Sequence, residues 1–191
     1  MSARRRRTQM TETDEQLMAR YRDGDAAAFD TLYRRHRGPV FRYVKRLAAA
    51  GMDAEALFQD AWMRVIQART QWRRGESFRP WLYRIAHNRV VDELRRHGHV
   101  AVDDEHDPDA VPSATPDQVL VQWWRDCVER LMQLLGRLPE TQRSAFLLRE
   151  EAGLSLEQIG QVTGVGHETV KSRLRYAMRR LRDGLEGCDD G

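Results

Sequence analysis

SLEQIGQVTGVGHETVKSRLRYAMRRLR, residues Ser155–Arg182, is the stretch on which the reading of this chain turns. Ser155 and Gln158 stand at capping-box spacing: the serine oxygen accepts from the backbone near Gln158, and Gln158 reaches back. A short helix follows, with Ile159 and Val162 facing inward. Gly160 lacks a side chain where a second helix can cross closely, and Gly164 can take the left-handed backbone that ends the first helix. Val165 fills the turn. The spacing predicts a second helix from about His167, with Val170, Leu174, Ala177, Met178 and Leu181 on one face. Its other face carries Lys171, Arg173, Arg175, Arg179, Arg180 and Arg182 against the single acid Glu168.

This is the pattern of a helix-turn-helix. An α-helix fits the major groove of DNA, where its N-terminal residues reach base edges and later ones meet phosphate. His167, Glu168, Thr169, Lys171, Ser172 and Arg175 are therefore the candidates nearest the bases, with Arg173 beside them. Arg179, Arg180 and Arg182 position the helix or face solvent. An ordinary helical hairpin with a solvated arginine face needs neither the capping box nor both glycines. The motif by itself does not separate the several classes of protein that carry it.

Outward from that motif, almost every periodic segment reads as helix. A break is predicted at Asp23-Gly24-Asp25, and Gly38-Pro39 is predicted to punctuate the chain before Val40 opens another helix. After Asp53, a candidate cap, Ala54, Leu57, Phe58, Ala61, Trp62, Val65 and Ile66 follow at i, i+3, i+4, i+7 spacing, a stripe wide enough to bury against two neighbours. Pro80 begins a helix bearing Trp81, Leu82, Ile85, Ala86, Val90 and Leu94. Helices resume with Val119, and Pro139 opens another that stops near Gly153. No run alternates with period two, so no sheet is expected.

The 191 residues carry a formal net charge of +3, unevenly spread. Residues 14–99 have 17 basic and 11 acidic residues, whereas residues 100–119 have six acids and no base. A basic block beside an acidic segment points to separate modules and to a polyanionic partner for the first. The acidic stretch also holds three prolines and no aromatic residue, so it reads as an extended linker. The expected fold is all-α: two small helical bundles joined by a flexible acidic linker, the second containing the helix-turn-helix. The corresponding divisions are a disordered basic tail over 1–13 (with Arg4–Arg7), a first domain over 14–99, a linker over 100–118, a second domain over 119–186 and a tail over 187–191.

No apolar run approaches the ~18–20 residues that span a bilayer, and no apolar stretch follows the N-terminal arginines as a secretory signal requires, so a cytoplasmic chain without membrane insertion is expected. Cys127 and Cys188 are far apart and in no metal-like spacing, which indicates neither a disulfide framework nor a zinc site; Cys127 reads as a small core residue. His97, His99 and His106 lie close together without another ligand type at a metal spacing, so no metal and no cofactor are expected. A nuclease or other enzyme acting on nucleic acid needs clustered carboxylates or histidines. None are placed together, and Asp92-Glu93 reads as helix surface, so the chain is not expected to be an enzyme.

The stretch Phe78–Arg96, FRPWLYRIAHNRVVDELRR, interleaves Phe78, Trp81 and Tyr83 with Arg79, Arg84, Arg89, Arg95 and Arg96, and Arg73 and Arg74 precede it. Extruded bases stack on aromatic or apolar surfaces while arginines hold the backbone. The competing reading places Trp81, Leu82 and Ile85 in the core, and Trp81 fits it well.

Here the chain resembles the sigma factors of bacterial RNA polymerase, specifically the small extracytoplasmic-function (ECF) group of the sigma-70 family. WLYRIAHNRVVDELRR looks like the family's promoter-melting segment and DAEALFQDAWMRVIQA like its core-polymerase-binding helix. Residues from Leu138 to Arg182 look like its promoter-reading domain. The resemblance covers roughly 14–99 and 120–186. It implies that Gln59, Asp60, Met63 and Arg64 contact core RNA polymerase. It further implies that Arg74, Ser77, Phe78, Arg79, Trp81, Arg84, Asn88 and Arg89 open the minus-10 element of promoter DNA, and that the helix-turn-helix reads the minus-35 element. An anti-sigma factor is a possible further partner of such a chain, which is expected to be monomeric when free. The family's core-binding helix usually begins with acids around DAED; Ala56 stands here in place of the last one. The competing class is a conventional helix-turn-helix regulator, which acts as a dimer on a palindromic duplex without polymerase.

Overall fold

The computed structural model describes residues 12–97, 116–186 and Cys188. Among these, every regular element is helical: α1 (Asp14–Arg22), α2 (Ala26–Leu47), α3 (Ala54–Gln67), a 3-10 turn (Arg69–Gln71), α4 (Phe78–His97), α5 (Pro116–Arg137), α6 (Glu140–Glu150), α7 (Leu156–Thr163) and α8 (His167–Gly184). Residues 1–11 of the basic tail and most of the acidic linker lie outside the described residues, as do His99 and His106. No helix among the described residues is long and apolar enough to cross a membrane.

Local chemistry starts most of these helices. Thr13 and Gln16 form a capping box at α1, and Asp25 and Asp53 each accept two backbone N–H groups at the starts of α2 and α3. Such caps satisfy donors that the first turn leaves unpaired. The first turn of α4 draws on a distant partner instead: the Phe78 N–H donates to Glu15 of α1 at 3.1 Å.

Gly38-Pro39 does not divide the chain as expected: α2 runs through it without interruption. Proline removes one backbone hydrogen bond and crowds the preceding turn. The buried stripe Leu32, His36, Val40, Tyr43, Val44 and Leu47 continues on one face across that point and holds the helix together.

The first half packs α1, α2, α3 and α4 around an apolar cluster with an aromatic seam. Trp62 meets Phe29 and Tyr33 edge-on, at 5.9 and 4.9 Å between ring centroids. Both expected bundles are present, yet they are not independent. Ala145, Leu147 and Leu148 of α6, Leu154, Ile159 and Val162 around α7, and Val170 of α8 belong to the same cluster as Leu17 and Trp81. Helix α7 lies on α4, and α6 on α2. Helix α5 meets α8 through a smaller cluster of Leu135, Leu138, Ala177 and Leu181 and also touches α2.

Three side-chain expectations need correction. Met178 is 46% exposed rather than part of the inner face of α8, because Val170, Ala177 and Leu181 already fill the contact. Glu93 is not simple surface; it is half-buried and pairs with Arg89 and Arg96. Cys127 and Cys188, expected to be unrelated, are joined as a disulfide with Cα atoms 5.9 Å apart, because α8 returns the chain's C-terminal end alongside α5.

Candidate nucleic-acid interface

The helix-turn-helix forms as its residues dictate. Ser155 and Gln158 exchange both capping-box hydrogen bonds, and Gly164 takes φ 71° as the C-cap of α7. The Gly164 and Val165 N–H groups both donate to the Gly160 carbonyl, at 2.8 and 3.1 Å. The role of Gly160 differs from the expected helix crossing. A Cβ there would meet the Val165 carbonyl oxygen at 2.7 Å, so glycine is required by the turn's own backbone; Val170 of α8 comes only to 3.8 Å.

Helix α8 starts at Gly166 with no side-chain cap, so its first N–H groups point outward beside His167, Glu168 and Thr169, all exposed. Lys171 and Arg175 are also exposed; Ser172 and Arg173 are half-buried. Ser172 turns its hydroxyl back to the Thr169 carbonyl at 2.9 Å. Glu168 sits 3.3 Å from His167 and 3.9 Å from Lys171. Tyr176, which the sequence reading passed over, lies between two arginines: the guanidinium carbons of Arg175 and Arg179 stand 5.2 and 5.5 Å from its ring centroid. Such stacking orients both cations along the helix. Tyrosine one residue after one arginine and three before another was the available signal.

The α4 region is divided differently from its sequence pattern. Phe78, Trp81 and Tyr83 are all buried, at 1%, 4% and 1% exposure. Phe78 packs against His36 and Trp81. The exposed members are Arg74, Ser77, Arg79, Arg84 and Asn88. Arg84, Asn88 and Arg95 fall along one outward face of α4. Arg74 pairs with Asp23 at 2.6 Å and Arg84 with Glu76 at 3.1 Å, both at the surface. Arg89 is buried, held by Asp60 at 3.0 Å and Glu93 at 2.6 Å. That pair ties α4 to α3, whose outward face presents Gln59, Asp60, Arg64 and the half-exposed thioether of Met63, 52% accessible. Ala56 is exposed in the first turn of α3.

Between the halves lies a buried polar knot. The Tyr43 hydroxyl of α2 and the Ser144 hydroxyl of α6 stand 3.0 and 3.2 Å from His87 Nδ1 of α4. Burial pushes the His87 imidazole down to about 4, helped by the positive charges of Arg173 and Arg95. Burial likewise pushes the Tyr83 phenol up to about 12, and its hydroxyl has no hydrogen-bond partner among the described residues. Around this knot Arg42 and Arg46 of α2 clamp Glu151 at the end of α6, and Arg143 of α6 donates to the Leu47 carbonyl at 3.0 Å. No group of three metal-ligating side chains occurs among the described residues.

Among known families, Sigma-70 region 2 matches residues 32–100 and Sigma-70 region 4 matches residues 134–183. The chain is 35% identical over 166 residues to the ECF RNA polymerase sigma factor SigE of Mycolicibacterium smegmatis, covering 85% of this chain and 64% of SigE. It therefore spans less than two thirds of that relative. It is 33% identical over 167 residues to the RNA polymerase sigma factor CarQ of Myxococcus xanthus, covering 87% of this chain and 94% of CarQ. CnrH, solved in complex with the cytosolic domain of CnrY, superposes with a TM-score of 0.68 at 23% identity, over 94% of this chain and 100% of that one. RpoE of Bartonella quintana, solved with the anti-sigma factor NepR, gives 0.66 at 21% identity, over 83% and 96%. Both structural likenesses concern the fold.

Proposed function

This chain belongs to the ECF RNA polymerase sigma factors of the sigma-70 family, and on that premise we propose that it binds core RNA polymerase, brings it to specific promoters and promotes DNA opening. It acts as a binding factor rather than an enzyme, in the cytoplasm where the polymerase works. The observation that carries the reading is that two separate exposed surfaces, on α3 and on α8, accompany the two family segments in their order.

The outward face of α3, around Met63, is the polymerase contact. An apolar centre ringed by Gln59, Asp60 and Arg64 suits a protein partner, since such contacts bury an apolar middle and keep a polar rim. The first three turns of α8 enter the major groove at the minus-35 element, with Lys171 and Arg175 nearest the bases and Arg179 toward phosphate. The face of α4 bearing Arg84 and Asn88, with Ser77 and Arg79 before it, follows the minus-10 strands. Unpairing costs a few kcal/mol, which contacts to an extruded base can offset. An anti-sigma factor is a further partner on this reading.

The packed arrangement cannot hold both promoter elements. Their centres lie roughly 85 Å apart along B-DNA at about 3.4 Å per base pair. A folded chain of this length is only about 40 Å across by the usual scaling. The contacts of α6 and α7 with α2 and α4 must therefore open when both elements are engaged. The Tyr83 hydroxyl, without a partner among the described residues, is a buried polar group that opening would return to water.

Purified chain mixed with core polymerase should yield specific transcripts, and the chain alone should bind duplex weakly and lose it as salt rises. Failure to bind core polymerase in a pull-down sinks the proposal, as does a stable homodimer that binds a palindromic duplex unaided.

A further inference from the structure

We infer that Cys127 and Cys188 are a reversible thiol–disulfide modification site, whose oxidation fixes the upstream half of α5 onto the segment that follows α8. The pair is separated by 61 positions in sequence, and the fold brings its Cα atoms to 5.9 Å.

Among the described residues, few side chains in the upstream half of α5 are buried. Those of α5 that pack into the smaller apolar cluster run from Leu131 through Met132, Leu134 and Leu135. Above that point Val121 and Trp124 are exposed, at 51% and 61%, and Val128 at 50%. Among the described residues of this stretch Trp123 is half-buried and Cys127 is buried, at 9%. A helix stretch with few buried apolar side chains opens at low cost. The disulfide supplies the missing anchor. It also closes a loop containing α6, α7 and α8, which restricts the unfolded chain.

The chemistry is a two-electron oxidation. Cys188 is the more accessible thiol, so its thiolate attacks a hydroperoxide, breaking the O–O bond to give a sulfenic acid and releasing an alcohol or water. The Cys127 sulfur then attacks the sulfenic sulfur, forming the S–S bond and releasing water. A dithiol reverses the change by two exchanges, becoming a disulfide itself. The intracellular setting, which rests on the proposed function, keeps such pairs reduced until an oxidant appears. His167, at the proposed DNA-reading end of α8, lies about 26 Å from Gly184 at the helix's other end at about 1.5 Å per helical residue, so the switch acts on α5 rather than on the base contacts.

The test uses the full chain alone, so its outcome is independent of polymerase binding. One sample is treated with hydrogen peroxide and one with dithiothreitol, without denaturant. Intact mass after alkylation should show no modified cysteine in the first and two in the second. Hydrogen exchange over residues 121–128 should be roughly tenfold slower in the oxidised sample. Cys188→Ser lies in the terminal segment beyond α8 and should keep its circular dichroism while losing the difference. Equal exchange in both samples overturns the inference. So does a bond that dithiothreitol cannot reduce in the folded chain, or peroxide yielding only disulfide-linked dimers.

Discussion

Gly160 shows how sharply one residue can be specified. Any side chain there drives a Cβ into the Val165 carbonyl at 2.7 Å, a backbone atom that cannot swing aside. Gly160→Ala should destabilise the fold by about 1–3 kcal/mol, read as a lower urea midpoint with unchanged slope. An unchanged midpoint would mean that the turn relaxes freely. Tyr176 makes a different prediction at the same scale. Tyr176→Ala removes the ring between Arg175 and Arg179 and should weaken minus-35 duplex binding severalfold, while Tyr176→Phe keeps the ring face and the affinity. If both variants bind alike, the stacking plays no part. Gly160, Gly164 and the α8 arginines were legible from sequence spacing. Tyr176 was not, because its ring counts as neither core nor charge in a periodic pattern.

At the scale of elements, the caps and the exposed faces carry separable effects. Ser155→Ala removes one of the two capping-box bonds of α7 and should cost about 1 kcal/mol. That loss should appear in thermal unfolding without altering core-polymerase binding. Met63→Glu on the outward face of α3 should do the reverse. It introduces charge at the centre of the proposed contact and should reduce polymerase binding at least tenfold, with the melting temperature almost unchanged. A variant that binds as well as the parent would remove α3 from the interface. The α3 stripe was readable because its inward residues recur with the helix period. The run-through of α2 at Pro39 was not, because the proline signal is local and the buried face that overrides it is tertiary.

The whole molecule turns on the seam between its halves. His87 is held neutral there, its ordinary value of 6.5 lowered to about 4. Its contribution is complete above about pH 6.5 and is lost as pH falls toward 4, because the unfolded imidazole takes up a proton first. The loss should reach about 3 kcal/mol at the acid end. Urea titrations between pH 7 and 4 should show it, and His87→Gln should flatten that part of the profile. A parent profile no steeper than that of the variant would exclude His87 as the cause.

What the sequence by itself determined is the helical character of the chain, most of its helices and the helix-turn-helix, though not the continuity of α2 through Pro39. Thr13, Asp25, Asp53 and Ser155 cap residues two or three positions away, and apolar stripes repeat at the helix period, so both leave a local trace. What only the tertiary structure decided is how the halves meet. Tyr43 finds His87 across 44 positions, His87 finds Ser144 across 57, and Arg42 finds Glu151 across 109. The burial of Phe78, Trp81 and Tyr83 and the union of Cys127 with Cys188 are of the same kind. Each depends on where a distant helix comes to rest, and spacing along the chain does not encode that position.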